Sequence, residues 1–250
     1  MARHLDAATA TWEEAKAFLQ RIPAAILPLG ATEQHGPHLP QNTDTVLAWE
    51  ICRRVAERSV GYLLPPIPIT YSWVWRDFPG SPWIGTETFM RVTKDIVRSL
   101  ERGGVRAMLV VTGHGANQAP LKYAVRELAD ESKVAIMHGA PFGIGAVAKE
   151  MESSLWLSPY ELHAEELETS LMLAVRPDLV RMDRAVADYP PVPDDYGYTV
   201  TSMGNLARSG VFGDATKATR EKGERWMEQI VDNIASLWLE FLRRHEIAFE

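Results

Sequence analysis

The chain has 250 residues, one cysteine and a formal net charge of -7. An acidic balance with no lysine or arginine stripe excludes the global basic field of a nucleic-acid binder. The lone Cys52 excludes an internal disulfide and suits a reducing compartment. Met1 to Thr11 lacks the apolar core of a secretion signal, and no run approaches the ~18 apolar residues of a membrane span. The expectation is a soluble, cytoplasmic protein with enough apolar residues for a sizeable core.

Strand-like and helix-like segments alternate, which argues for a mostly parallel sheet with helices on its faces. Thr11 to Glu14 spells a capping box and opens a helix to about Arg21. The apolar run Ala24 to Leu29 reads as a short buried strand ended by Gly30. A helix is expected from about Thr45 to Arg58, with Cys52 as a small core residue. Val60 to Ile69 carries Pro65, Pro66 and Pro68, so only its first half can be a regular strand. Thr70 to Gly85 reads as a long loop, rich in aromatic residues, proline and glycine, and such loops are often functional. Glu87 to Arg102 has a helical pattern, stopped by Gly103 and Gly104. Ala107 to Val111 is a buried strand, Pro120 to Glu131 a helix and Val134 to Met137 a further strand. Ala140 to Glu161 shows no clear period. His163 to Val175 reads as helical or half-helical, and Asp188 to Asp214 is loop-like. A long amphipathic helix from about Lys217 to Arg244 closes the chain, with Trp226, Ile230, Ile234 and Leu237 on one face.

In an open α/β sheet, sites form in loops beyond the carboxyl ends of strands. The loop after the first buried strand offers Glu33, His35, His38 and, further on, Asp44; the loop after Val111 offers His114. In extended backbone, residues two apart share a side, so Glu33 and His35 can reach one pocket. Asp44 at the start of the next helix can reach the same pocket and bridge two cations. Mixed carboxylate and imidazole ligands suit zinc, manganese or iron better than calcium. Two such cations can generate a hydroxide nucleophile and stabilise a developing oxyanion. The alternative for His114 is a helix cap or a core hydrogen bond. His38 reads as a supporting or surface residue, His4 and His245 as exposed terminal residues, and His138 as structural. Glu165 and Glu166 read as an ordinary helix N-terminus. Glu168 lies among apolar Leu167, Leu171 and Met172, so its carboxylate needs a partner, either a metal or an arginine.

Leu27 to Pro40, with Glu33-Gln34-His35-Gly36-Pro37-His38 inside it and Asn42-Thr43-Asp44 beyond, resembles the creatininase (creatinine amidohydrolase) family signature. Thr112-Gly113-His114-Gly115-Ala116-Asn117 is similar to that family's second motif, and His163-Ala164-Glu165-Glu166-Leu167-Glu168-Thr169-Ser170 to its third, in which a glycine usually stands at the position of Glu165. Phe78-Pro79-Gly80 and Gly213-Asp214 also match. The resemblance spans nearly the whole chain and implies one hydrolase domain over residues 1–250. It implies a three-layer α/β/α sandwich, two divalent metal ions per subunit and a homohexamer. Glu33 and His114 would hold one metal, His35 the other, and Asp44 would bridge. Creatininase proper takes a further ligand from a glutamate where this chain has Ala116, so Glu168 is the implied replacement. His163 matches the histidine assigned to proton transfer.

The departures bear on substrate. Trp75-Arg76-Asp77 stands where many relatives carry Glu-His, and Gly115-Ala116 where creatininase proper has Tyr-Glu. Trp73, Trp75 and Trp83 form either an aromatic wall for a flat or cyclic substrate or a packing surface between subunits. Arg76 either grips a carboxylate or phosphate or pairs with Asp77. The expected activity is hydrolysis of a cyclic or linear amide C–N bond of a small molecule other than creatinine. Its rivals are hydrolysis of a ring C–C bond in a cyclic ketone and a non-catalytic maturation partner with a vestigial metal site.

Overall fold

A computed structural model describes residues 2–139, 144–153 and 162–249. Its centre is a parallel sheet of β1 (His4–Asp6), β2 (Ala24–Leu29), β3 (Gly61–Leu63), β4 (Ala107–Thr112) and β5 (Ala135–Gly139), in the order β1-β3-β2-β4-β5. β2 and β4 pair in register from Ala24–Ala107 to Leu29–Thr112. Every residue of both strands is buried, and strands covered on both faces read as unbroken apolar runs.

The helices are α1 (Trp12–Arg21), α2 (Thr43–Arg58), α3 (Thr86–Arg102), α4 (Gln118–Leu128), α5 (Ile144–Val147), α6 (Glu166–Val175) and α7 (Arg220–Arg244). α2, α6 and α7 pack together as one layer; α3 and α4 form the other. The result is a three-layer α/β/α sandwich. The capping box forms as the sequence requires: Thr11 Oγ1 accepts the Glu14 N–H, and Glu14 Oε2 accepts the Thr11 N–H. β6 (Ala187–Asp188) and β7 (Gly213–Asp214) pair antiparallel and close the base of the long segment between them. No helix among the described residues is long and apolar enough to cross a membrane.

Several elements differ from the sequence reading. α2 begins at Thr43, which puts Asp44 inside its first turn. Of the helical or half-helical stretch from His163, only the part from Glu166 is helix, as α6; His163 lies in extended backbone, bridged to Phe212. Leu237 does not join the buried face of α7 and is 37% exposed. Trp238 takes that place, because the buried row runs Trp226, Ile230, Ile234, Trp238 at steps of four, and its indole N–H donates to Val60 O at 2.9 Å. His4 is half-buried in β1, which covers the edge of β3. The unassigned stretch Ala140 to Glu161 lies partly outside the described residues; α5 falls within it.

Candidate metal centre

The chain leaves β2 for β3 on one side of it and returns to β4 on the other. Loops diverge at such a reversal and leave a crevice beyond the strand ends. Glu33 and His35 follow β2, His114 follows β4, and Asp44 enters from the first turn of α2. Glycine lets these segments converge. A Cβ on Gly113 would lie 2.4 Å from the Asp44 carbonyl oxygen, and one on Gly30 2.4 Å from Thr45 Cα. Only bare backbone allows both strand ends to close on that turn.

Each imidazole is oriented by a main-chain carbonyl. His35 Nδ1 lies 3.2 Å from Glu33 O, so Nε2 points inward, 2.9 Å from Asp44 Oδ1. His114 Nε2 lies 2.9 Å from Tyr71 O, so Nδ1 points inward, 3.1 Å from Glu33 Oε1 and 3.3 Å from Asp44 Oδ2. A carbonyl behind one ring nitrogen fixes the other as the ligand atom. Ser72 donates its hydroxyl to Glu33 Oε2. Glu168, on the first turn of α6, directs Oε2 to within 3.8 Å of His35 Nε2 and accepts the Ala164 N–H at 2.6 Å. No arginine among the described residues pairs with it.

The ligand atoms of Glu33, Asp44 and His114 lie within 4.8 Å of one another, and so do those of His35, Asp44 and Glu168. Asp44 belongs to both groups, one oxygen toward each. A third group joins Glu33, His35 and His163. Glu33 Oε1 and Asp44 Oδ2 are buried, and although both lie near His114 neither receives an aligned hydrogen bond from the described residues. Orphaned buried carboxylate oxygens call for a cation, and the donor set fits divalent transition metals.

The electrostatics agree with that fit. Burial opposes the charged form of His35, but Asp44, Glu168 and Glu33 outweigh it and raise the imidazole to about 10. His114 is raised likewise, against burial, by Glu33 and Asp44. Burial pushes Glu33 up and carries Glu168 to about 7, with Asp44 adding to both. Three carboxylates thus share a buried space in which imidazolium is the available positive charge.

His163 sits at the edge of this centre. Its Nε2 lies 2.7 Å from Gln34 O, and its Nδ1 faces Glu33 Oε1 at 3.7 Å. Burial, then the nearby charge of His35, lowers its pKa and keeps it neutral. The Trp75 ring stacks on it, with centroids 4.1 Å apart. Trp75 is buried against Phe212 and Phe78, so it backs His163 rather than standing as an open wall. Trp73 is half-buried beneath Arg76, while Trp83 is 42% exposed.

Sequence reasoning missed Ser72 and the Tyr71 carbonyl, because nothing local links that loop to Glu33, 39 positions before Ser72, or to His114, 43 positions after Tyr71. It also underrated His38, which is buried and bonded to Thr169. Glu165 and Glu166 are fully buried, not an ordinary exposed helix start. Glu165 accepts the Leu167 and Glu168 N–H groups, and Glu166 pairs with Lys222 at 2.7 Å.

Residues 8–238 match the family model for creatininase, described as creatinine amidohydrolase. The creatinine amidohydrolase of Pseudomonas putida is 34% identical over 244 residues, 90% of this chain and 92% of that one. A mycofactocin precursor peptide peptidase of Mycobacterium ulcerans is 33% identical over 225 residues, covering 86% and 84%. A solved mutant creatininase of Zn-Zn type superposes with a TM-score of 0.82 at 31% identity, covering 94% of this chain and 97% of that one.

Proposed function

Because the chain belongs to the creatininase family of hydrolases, we propose that it is a dinuclear metal-dependent amidohydrolase that cleaves a C–N amide bond of a small molecule other than creatinine. Glu33, His114 and Asp44 would hold one divalent cation, and His35, Glu168 and Asp44 the other. The observation that carries this reading is Asp44, buried and turned with one oxygen to each group. Bound zinc, manganese or iron supplies Lewis-acid polarisation of a carbonyl and a lowered pKa for water.

The chain's own residues do the rest. Gln34 O receives the Nε2 proton of His163, which leaves Nδ1 as a bare acceptor aimed into the centre. A neutral imidazole in that position takes a proton from attacking water and returns it to the leaving nitrogen. Trp75 holds the ring in plane, and Ser72 holds Glu33. Trp73, Arg76 and Trp83 form the substrate side of the site. The hexamer implied by the resemblance belongs to the same reading, and sedimentation velocity tests it.

Metal analysis of the purified protein is the first experiment. Two divalent cations per chain are expected, and Asp44→Ala should lose both together with all activity. Stoichiometric metal retained in that variant would sink the bridging role. Metal-free, inactive wild type would favour a maturation partner. Lactams, formamides, short peptides and cyclic ketones assayed side by side separate C–N from C–C cleavage.

A further inference from the structure

The short 3-10 turn Trp73–Trp75 runs on into Arg76. Side chains three apart in such a turn eclipse one another. Ser72 and Trp75 form one row, and both face the centre through Glu33 and His163. Trp73 and Arg76 form the next row. The Arg76 guanidinium carbon stands 3.7 Å from the centroid of the Trp73 ring. Stacking of this kind fixes the guanidinium plane and leaves its edge N–H groups free to donate.

Those donors lack an acceptor among the described residues. The nearest carboxylate, Asp77 Oδ1, is 4.0 Å from Arg76 Nε, and Asp77 Oδ2 is already taken by the Ser202 hydroxyl. Arg53, Arg54, Arg98 and Arg176 each hold a carboxylate within hydrogen-bond reach. Its side chain is 31% exposed, so the fork is open to an incoming anion. A stacked arginine with an open fork suits a planar anion. Arg76 directly follows Trp75, a Cα step of about 3.8 Å. Trp75 itself stacks on His163, so Arg76 neighbours the residue that backs the centre.

We infer that Arg76, seated on Trp73, binds a carboxylate of the substrate, so that the bond cleaved is an amide close to a free carboxylate group. N-acyl amino acids and the carboxyl-terminal residues of short peptides share this chemistry. The inference rests on the amidohydrolase reading and names its substrate class.

The test uses the cation-loaded protein and matched probes: N-acetylglycine against N-acetylglycinamide, and triglycine against its carboxyl-terminal amide. Affinity is read by titration calorimetry, and turnover is followed in parallel. Wild type should bind the free carboxylate at least ten-fold more tightly than the amide in one pair or both, and the better pair identifies the acyl amino acid or the peptide as the source. Arg76→Ala should bring that ratio to within two-fold, and Arg76→Lys should fall between, as a point charge in place of a fork. A preference supplied by the cations alone would survive in Arg76→Ala, and that result overturns the inference, as would no preference in wild type. Absence of turnover for every probe counts against the amidohydrolase reading, whereas the binding ratio still decides the role of Arg76.

Discussion

His38 Nε2 lies 2.8 Å from the Thr169 hydroxyl, and both side chains are fully buried. The bond ties the loop that carries His35 to the helix that carries Glu168. It thereby spans one of the two cation groups from behind. Burial, then the neighbouring His35, brings His38 down to about 4, so the ring is neutral. Its Nδ1 has no partner among the described residues, which leaves the Thr169 bond to fix the ring.

Thr169→Val should therefore cost about 1–3 kcal/mol by stranding a buried polar group. It should also loosen the cation of the His35–Glu168 group more than the other, whereas Thr169→Ser should restore both properties. Urea unfolding and metal content after timed dialysis against a chelator measure the two effects. Equal loss of both cations in Thr169→Val would show that the bond is a general packing contact.

Trp75 gives a second prediction. Its ring covers one face of His163, and the Gln34 carbonyl secures one edge. Trp75→Leu removes the face support and keeps an apolar side chain. A tilt of the imidazole by a fraction of its width suffices to lower kcat by about 10²-fold. The change should fall on kcat with KM little altered, and Trp75→Phe should lose less. Steady-state kinetics on the amide that wild type turns over best decide the matter; a loss confined to KM would mean that Trp75 touches substrate instead.

The buried strands Ala24–Leu29 and Ala107–Thr112 were legible because continuous apolar runs between turn residues have few other uses. The candidate ligands Glu33, His35 and His114 could be picked out because they stand directly after those strands, and Asp44 because it opens the next helix. What stayed hidden depends on distant segments. Ser72 reaches Glu33 through the course of a long loop, and no local pattern encodes that course. Trp238 displaced Leu237 because a one-residue phase error over seven turns lies below what an apolar stripe resolves. β1 is three residues long and gains its strand character from β3, not from its own sequence. Glu165 and Glu166 looked like a solvated helix start, since the partners that bury them come from α7 and the β7 segment.

Gly113 offers a test of how the centre is assembled. A methyl group there would press on the Asp44 carbonyl oxygen, which belongs to the first turn of α2 and cannot yield alone. Gly113→Ala should destabilise the protein by about 1–3 kcal/mol and lower its metal content, because the turn carries the shared carboxylate. Gly85 makes a suitable control, as a methyl group there meets nothing within 4 Å. Gly85→Ala should stay within about 0.5 kcal/mol of wild type and keep its metal. Chemical denaturation with elemental analysis of both variants reads the contrast, and matching behaviour would dismiss the close approach as unimportant.

Glu50 supplies a prediction in pH, away from the metal centre. On α2 its Oε1 accepts from Arg54 Nε at 2.7 Å, and its two oxygens take two donors of Arg53 at 2.9 Å. Burial acts to raise this carboxyl, but the two arginines prevail and hold it below its ordinary 4.5. A carboxylate depressed in the folded state binds fewer protons there than in the unfolded chain. Its contribution is therefore complete above pH 4.5 and disappears as the pH falls through the folded value. Because the arginines are partly solvated, that contribution should be at most about 1 kcal/mol. Glu50→Gln should accordingly unfold at lower urea than wild type at pH 7, and the gap should narrow steadily as acid is added below pH 4.5. Measured on the metal-free protein, a gap of the same size at both ends of this range would mean that packing, not charge, ties Glu50 to Arg53 and Arg54.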